Sequence, residues 1–175
     1  MHLTLKETKE EIYASQRVSK HVSPHLHNAL EIVCVTEGTL EMGVGQELYH
    51  MEKGDIGFVF PDIIHHYQVF SEKTSRADYI LVPSSFAGVF EDKIQGYAPK
   101  YPVISARQIE PDVYNALQTI IQMDEKEPVI IQAYVQIILA RCIGKMELVE
   151  KSCVGSDDLI YRTVSYLSLI HISEP

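Results

Sequence analysis

The chain has 175 residues, 46% of them hydrophobic, with 24 acidic against 15 basic side chains and a formal net charge of -9. A chain of this length buries about two thirds of its unfolded surface, so one domain can hold a core without disulfides or a structural metal. The acid excess argues against nucleic-acid binding by this stretch itself, because duplex binding rests on Lys and Arg replacing counterions along the phosphates.

From Arg17 to Pro83, short β-branched or aromatic runs are broken by turn signals at Glu37-Gly38, Gly43-Val44-Gly45, Lys53-Gly54-Asp55 and Ser71-Glu72-Lys73. The predicted strands are Arg17 to Val22, Ala29 to Thr36, Thr39 to Met42, Glu47 to Met51, Ile56 to Phe60, Ile64 to Phe70 and Ala77 to Val82. Short strands at this spacing predict a sandwich or barrel.

Beyond Pro83 a loop-rich stretch, with one helical turn around Phe86 to Lys93, leads through Pro99 and Pro102 to two helical patterns. In the first, Val113, Leu117, Ile120 and Ile121 share one face after Pro111-Asp112, as in an ordinary amphipathic helix. The second is expected to start at Pro128 and run to about Glu150, with Ile131, Val135, Ile138, Cys142, Met146 and Val149 spaced alternately by four and three. Ile130, Tyr134, Ile137, Leu139 and Ile143 widen that stripe. The reading is a helix with two partners: its own subunit, and a second copy in a homodimer met through Ile131, Val135, Ile138, Cys142 and Met146. A helix buried within one subunit is the alternative.

Cys34, Cys142 and Cys153 are widely separated and fit neither a disulfide framework nor a Cys-X-X-Cys zinc site, which points to a reducing, cytoplasmic setting. The opening residues are rich in Lys and Glu without an apolar leader run, and no membrane span is expected.

The segment that carries chemistry is His25-Leu26-His27-Asn28-Ala29-Leu30-Glu31. Side chains alternate along a strand, so positions 25, 27 and 31 point to one side if the chain stays extended. His65, on a later strand with Tyr67, would complete a set of three nitrogens and one oxygen suited to zinc, nickel, iron or manganese. A one-residue slip of that strand would put His66 in its place. The same groups also suit a metal-free pocket that hydrogen-bonds a polar ligand, or histidines pairing within the core.

These residues resemble the cupins. His25-X-His27, Glu31 and Gly38 match most of the first cupin motif, and Gly54 through Pro61 to His65 looks like the second. Two features depart from the pattern: Ser19 stands at the first motif's opening glycine, and Pro61-Asp62-Ile63-Ile64-His65 lacks the glycine expected between Pro61 and the histidine. A β-rich α+β chain, in which a cupin-type double-stranded β-helix or jelly-roll barrel precedes two α-helices, is similar to the N-terminal effector-binding and dimerisation half of AraC-family transcription regulators.

The resemblance implies an arm over 1–16, a barrel over 17–106, a helical dimerisation segment over 107–152, and a linker over 153–166 leading into a helix-turn-helix domain that is absent, with Asp157 to Tyr166 as its lead-in. Leu167 to Pro175, LSLIHISEP, is similar to a translated sequencing adapter and is expected to be non-native. DNA contact is then expected only through the missing domain. The implied function is sensing of a small polar effector, such as a sugar, without catalysis. A stand-alone metal-dependent cupin enzyme, an oxygenase or isomerase, is the alternative, and a dimerising scaffold with a filled barrel is a third. Tyr49, Tyr67 and Tyr79 are candidate pocket residues beside His25, His27, Glu31 and His65, because each offers a flat apolar face and a hydroxyl. Lys6 to Glu11 is expected to be a solvated helix or a frayed arm, and Cys34, on the opposite parity from Glu31, a core residue.

Overall fold

A computed structural model describes residues 4–5 and 11–154 of the chain. The chain-order strands are β1 (Thr4–Leu5), β2 (Tyr13–Val18), β3 (Val22–Leu26), β4 (Ala29–Glu37), β5 (Thr39–Val44), β6 (Glu47–Glu52), β7 (Ile56–Val59), β8 (His65–Gln68) and β9 (Arg76–Pro83). A 3-10 segment (Ser84–Phe90) and helix α1 (Glu91–Gly96) follow, then β10 (Tyr97–Pro99), β11 (Val103–Ile104), α2 (Pro111–Gln122), α3 (Pro128–Cys142) and β12 (Leu148–Glu150).

One five-stranded sheet has the order β1-β3-β8-β5-β6 and the other β11-β7-β4-β9-β2, while β10 and β12 form a separate ribbon. From β3 to β9 the chain passes repeatedly between the two sheets, giving the double-stranded β-helix of a cupin. Their facing surfaces enclose Leu40, Met42, Met51, Tyr67 and Tyr79 among other buried side chains. β4 is buried along nearly its whole length, as a run apolar on both faces requires, because α2 lies over the outside of the second sheet at β2 and β9. α3 packs on α2 and on the 3-10 segment.

Several boundaries differ from the sequence expectation. The predicted strand Arg17 to Val22 is two strands in different sheets, β2 ending at Val18 and β3 starting at Val22. β2 begins at Tyr13, where Tyr13 to Gln16 pair with β9, so the barrel claims four residues assigned to the arm. Gly43 is a strand residue and not part of the turn: the His66 ring lies over it so closely that an added Cβ would sit 1.8 Å from His66 Cε1.

The second long helix stops at Cys142. A 3-10 turn carries Gly144, a poor helix former, and Val149 then lies in β12 paired with Ala98. The four-three spacing past Cys142 is therefore accidental. Ile131, Val135, Ile138 and Cys142 are fully buried within this one chain and Met146 nearly so, which leaves no surface on them for a second copy. The apolar side chains that α3 leaves outside are Val129, Ile130 and Ile137. Pro128–Lys145 is long and apolar enough to span a membrane by length and composition alone; its Ile131, Val135, Ile138 and Cys142 are buried in the chain's own core.

The expected linker beyond 154, the helix-turn-helix lead-in, the tail 167–175 and most of the charged arm lie outside the described residues. From the arm, β1 pairs in parallel with β3, Thr4 opposite His25.

Candidate functional site

His25, His27, Glu31 and His65 are all buried, and one ligating atom from each lies within 4.8 Å of the others. The route to this convergence differs from one extended strand. His25 is in β3 of the first sheet and Glu31 in β4 of the second, and the strand breaks at His27-Asn28 between them. His65 in β8 pairs directly with His25. The four groups meet because the two sheets face each other, with His27 at the crossing.

Main-chain carbonyls fix the ring orientations. His25 Nδ1 lies 2.9 Å from the Ser23 carbonyl oxygen, His27 Nδ1 3.2 Å from that of Ala29, and His65 Nδ1 2.9 Å from that of Ile63. A carbonyl oxygen only accepts, so each Nδ1 carries a hydrogen and each ring turns its Nε2 inward. His27 Nε2 and His65 Nε2 lie 2.8 Å and 3.1 Å from the same atom, Glu31 Oε2. Lone pairs facing a carboxylate oxygen repel unless protons or a cation stand between them.

The other carboxylate oxygen, Glu31 Oε1, accepts a hydrogen bond from the Tyr67 hydroxyl at 2.7 Å. Burial would raise the Glu31 carboxyl, but the field of His65 and the hydrogen bonds and charge of His27 and His65 outweigh it and hold the group well below the usual carboxylate range. Burial first, and then the Glu31 carboxylate, push Tyr67 well above its ordinary value, so the phenol stays a donor. Burial, reinforced by His65, lowers His25 to about 4. A neutral, lone-pair-bearing imidazole is thus the resting form of His25 at neutral pH.

This donor set fits a divalent cation: three imidazole Nε2 atoms, one carboxylate oxygen, and an N–H on each histidine anchored to backbone, the arrangement that fixes tautomer and ring plane in metal sites.

Of the remaining candidates, Tyr79 adjoins the cluster. Its ring meets Tyr67 edge-on at 5.6 Å, its hydroxyl lies 3.0 Å from Ser19 Oγ, and the Arg17 guanidinium sits 4.1 Å over the ring. Tyr49 does not join, because its hydroxyl is turned to the Lys100 carbonyl at 3.2 Å. His66 is excluded as the inward residue: it sits on the outer side of Gly43 while His65 faces in. Arg17, Lys20 and His21 were not foreseen. With Tyr79 they line a cleft of about 400 Å³, and the linear sequence gives no sign of the bend at Ser19 that groups them.

Residues 9–128 match the AraC-like ligand binding domain family, and the chain belongs to that family. Among solved structures it is similar to ToxT from Vibrio cholerae, with TM-score 0.54 and 10% identity over 94% of this chain and 66% of that one. ToxT bound to an unsaturated fatty acid gives TM-score 0.53 at 10% identity, covering 77% and 53% of the two chains. ToxT bound to (E)-4-(8-methylnaphthalen-1-yl)but-3-enoic acid gives 0.52 at 8% identity, covering 77% and 57%. The chain thus spans between about half and two thirds of the ToxT chains it resembles. No curated protein sequence matches it.

Proposed function

We propose that this chain is the effector-sensing domain of an AraC-like transcription regulator of the cytoplasm, which binds a small polar metabolite in its barrel and so controls DNA binding by a helix-turn-helix domain outside this sequence. The observation that carries the reading is the buried group of Glu31, Tyr67, His25, His27 and His65 in a member of a ligand-binding family. Buried polar groups cost stability unless they are paired, and a barrel kept only as a scaffold has no need of five. The Arg17, Lys20 and His21 cleft is lined by Tyr79, whose ring meets Tyr67 edge-on. Its cationic rim suits a carboxylate, the group carried by both ToxT ligands, better than it suits an uncharged sugar. Calorimetry with matched panels of carboxylic acids and sugars tests this. Saturable binding without turnover is the expected result; silence toward both panels together with consumption of a substrate would overturn it.

A second reading rests on the tautomers. The Nε2 atoms of His27 and His65 aimed at Glu31 Oε2 support a divalent cation held by His25, His27, His65 and Glu31. Such an ion would polarise an oxygen of whatever binds beside it. Within that reading the metal-dependent oxygenase or isomerase remains the rival to a sensor. Elemental analysis of protein purified without chelator, combined with a substrate-consumption assay, separates the two: metal with turnover favours the enzyme, metal without it a metal-assisted sensor. For the homodimer, the exposed Val129, Ile130 and Ile137 of α3 take the place of the inward stripe, and sedimentation of the unmutated chain as a dimer and of an Ile137→Glu variant as a monomer would support it.

A further inference from the structure

A separate cleft of about 450 Å³ opens on the outer face of the second sheet, beneath α2. Asp78 of β9 and Cys34 of β4, a cross-strand pair, line it together with Thr36, Gln16, and Gln118 and Gln122 of α2. Neighbouring positions Val33 and Tyr79 point the other way, toward the barrel interior, so a sheet separates this cleft from the histidine cluster.

Two groups in it lack what burial demands. Asp78 is 5% exposed, yet among the described residues its carboxyl accepts one hydrogen bond, from Gln16 Nε2 at 2.9 Å, and meets no cation. Thr36 Oγ1 is withdrawn from solvent with no hydrogen-bond partner. Burial correspondingly raises the Asp78 carboxyl above its ordinary value. The lone cation among the lining residues, Lys53, is exposed, and an anion would have to settle beside Asp78. A ligand bearing several N–H donors and a positive charge repairs the deficit at Asp78, and the glutamine amides can accept from or donate to the rest of it.

We propose that this cleft binds a small organic cation, a primary amine or guanidinium, whose N–H groups meet Asp78. Because the cleft is shared by β4, β9 and α2, its occupant ties the helical layer to the barrel. The site is independent of what fills the barrel.

The test is an amide-resonance titration of the full chain with n-butylammonium and butylguanidinium chlorides, with n-butanol and sodium butyrate as neutral and anionic probes. The cations are expected to give saturable shifts centred on Thr36, Asp78 and Gln118. Asp78→Asn, which keeps the acceptor for Gln16, should weaken them about tenfold or more. A thermal melt of the variant verifies that it is folded. The proposal is overturned by an absence of saturable shifts at tens of millimolar cation, by equal shifts from butanol, by butyrate binding in place of the cations, or by undiminished affinity in folded Asp78→Asn.

Discussion

His27 and Glu31 are tied at 2.8 Å across the break between β3 and β4, while the other nitrogen of the same ring is held by the Ala29 carbonyl. The ring therefore cannot turn its N–H toward the carboxylate without losing its backbone anchor, and the pair is complete only with a proton or a metal ion between Nε2 and Oε2. Glu31→Gln removes the charge at nearly constant volume. We expect zinc, nickel or manganese added to chelator-stripped protein to raise the melting temperature, by an amount that grows with metal concentration as a ligand of the native state requires. Glu31→Gln should bind the metal at least about tenfold more weakly. An equal rise in both proteins would place the metal elsewhere.

Tyr67 holds the second oxygen of that carboxylate. Tyr67→Phe leaves Glu31 Oε1 buried without this donor, which costs about 1–3 kcal/mol. Urea denaturation should show a lower midpoint at unchanged slope; an unchanged midpoint would mean that water reaches Glu31.

The Asp78 carboxyl has a raised folded-state value because burial disfavours its charge. The stability linked to it is whole below the unfolded value near 3.8 and is lost as pH rises through the raised folded value. At pH 7 the charged group therefore weighs against the fold. Asp78→Asn is expected to raise the melting temperature at pH 7 and to leave it nearly unchanged at pH 3, and the opposite ordering would contradict the buried, cation-free carboxyl.

Asp62 lies in the Pro61 to His65 stretch, which lacks the second motif's glycine, and it has φ 63°. Its backbone N–H donates to the His27 carbonyl at 2.8 Å, so the left-handed turn helps fix the crossing at His27. Left-handed backbone costs most side chains roughly 1–2 kcal/mol, and Asp less. Asp62→Gly should alter stability by no more than about 1 kcal/mol, since relief of strain is offset by a freer unfolded chain. Asp62→Val, β-branched, should lose about 2 kcal/mol or more. Chemical denaturation of the two variants side by side reads the difference.

Cys34 and Cys142 are buried, and burial pushes both thiols up to about 12, with Asp78 and Asp55 adding to the effect at Cys34. Cys153 is exposed. At pH 8 a chromogenic disulfide reagent should react promptly with Cys153 in native protein and with the other two only after unfolding. Fast reaction of a second thiol would show that Cys34 or Cys142 is reached by solvent.

Sequence pattern carried most of the barrel because its strands are short, β-branched and punctuated by turns, and six of the seven predicted runs fall on observed strands. It failed where two structures share one pattern. Val18 to Val22 reads as continuous strand, and nothing local shows that the chain leaves one sheet there for the other. Met146 and Val149 prolong a helical spacing that Gly144 and the pairing with Tyr97–Pro99 end.

The four candidate ligands were legible from type and spacing, although the parity argument reached them through a strand that is in fact broken. His65 was distinguished from His66 only by the close approach of His66 to Gly43, a contact across strands. The Asp78 cleft was invisible because Gln16, Thr36, Asp78 and Gln118 are brought together by α2 lying over the sheet. The inward turn of Ile131, Val135, Ile138 and Cys142 had the same cause: hydrophobic spacing reports an apolar face but not which body covers it.

Glu31 belongs to one sheet, while His25 and His65 belong to the other. Anything that fastens these side chains together acts as a rivet through the two walls of the sandwich, and its removal lets them breathe apart. Hydrogen exchange along β4 and β8 would register that loosening beyond the few residues that touch a bound molecule, as a change in stiffness carried by the walls themselves.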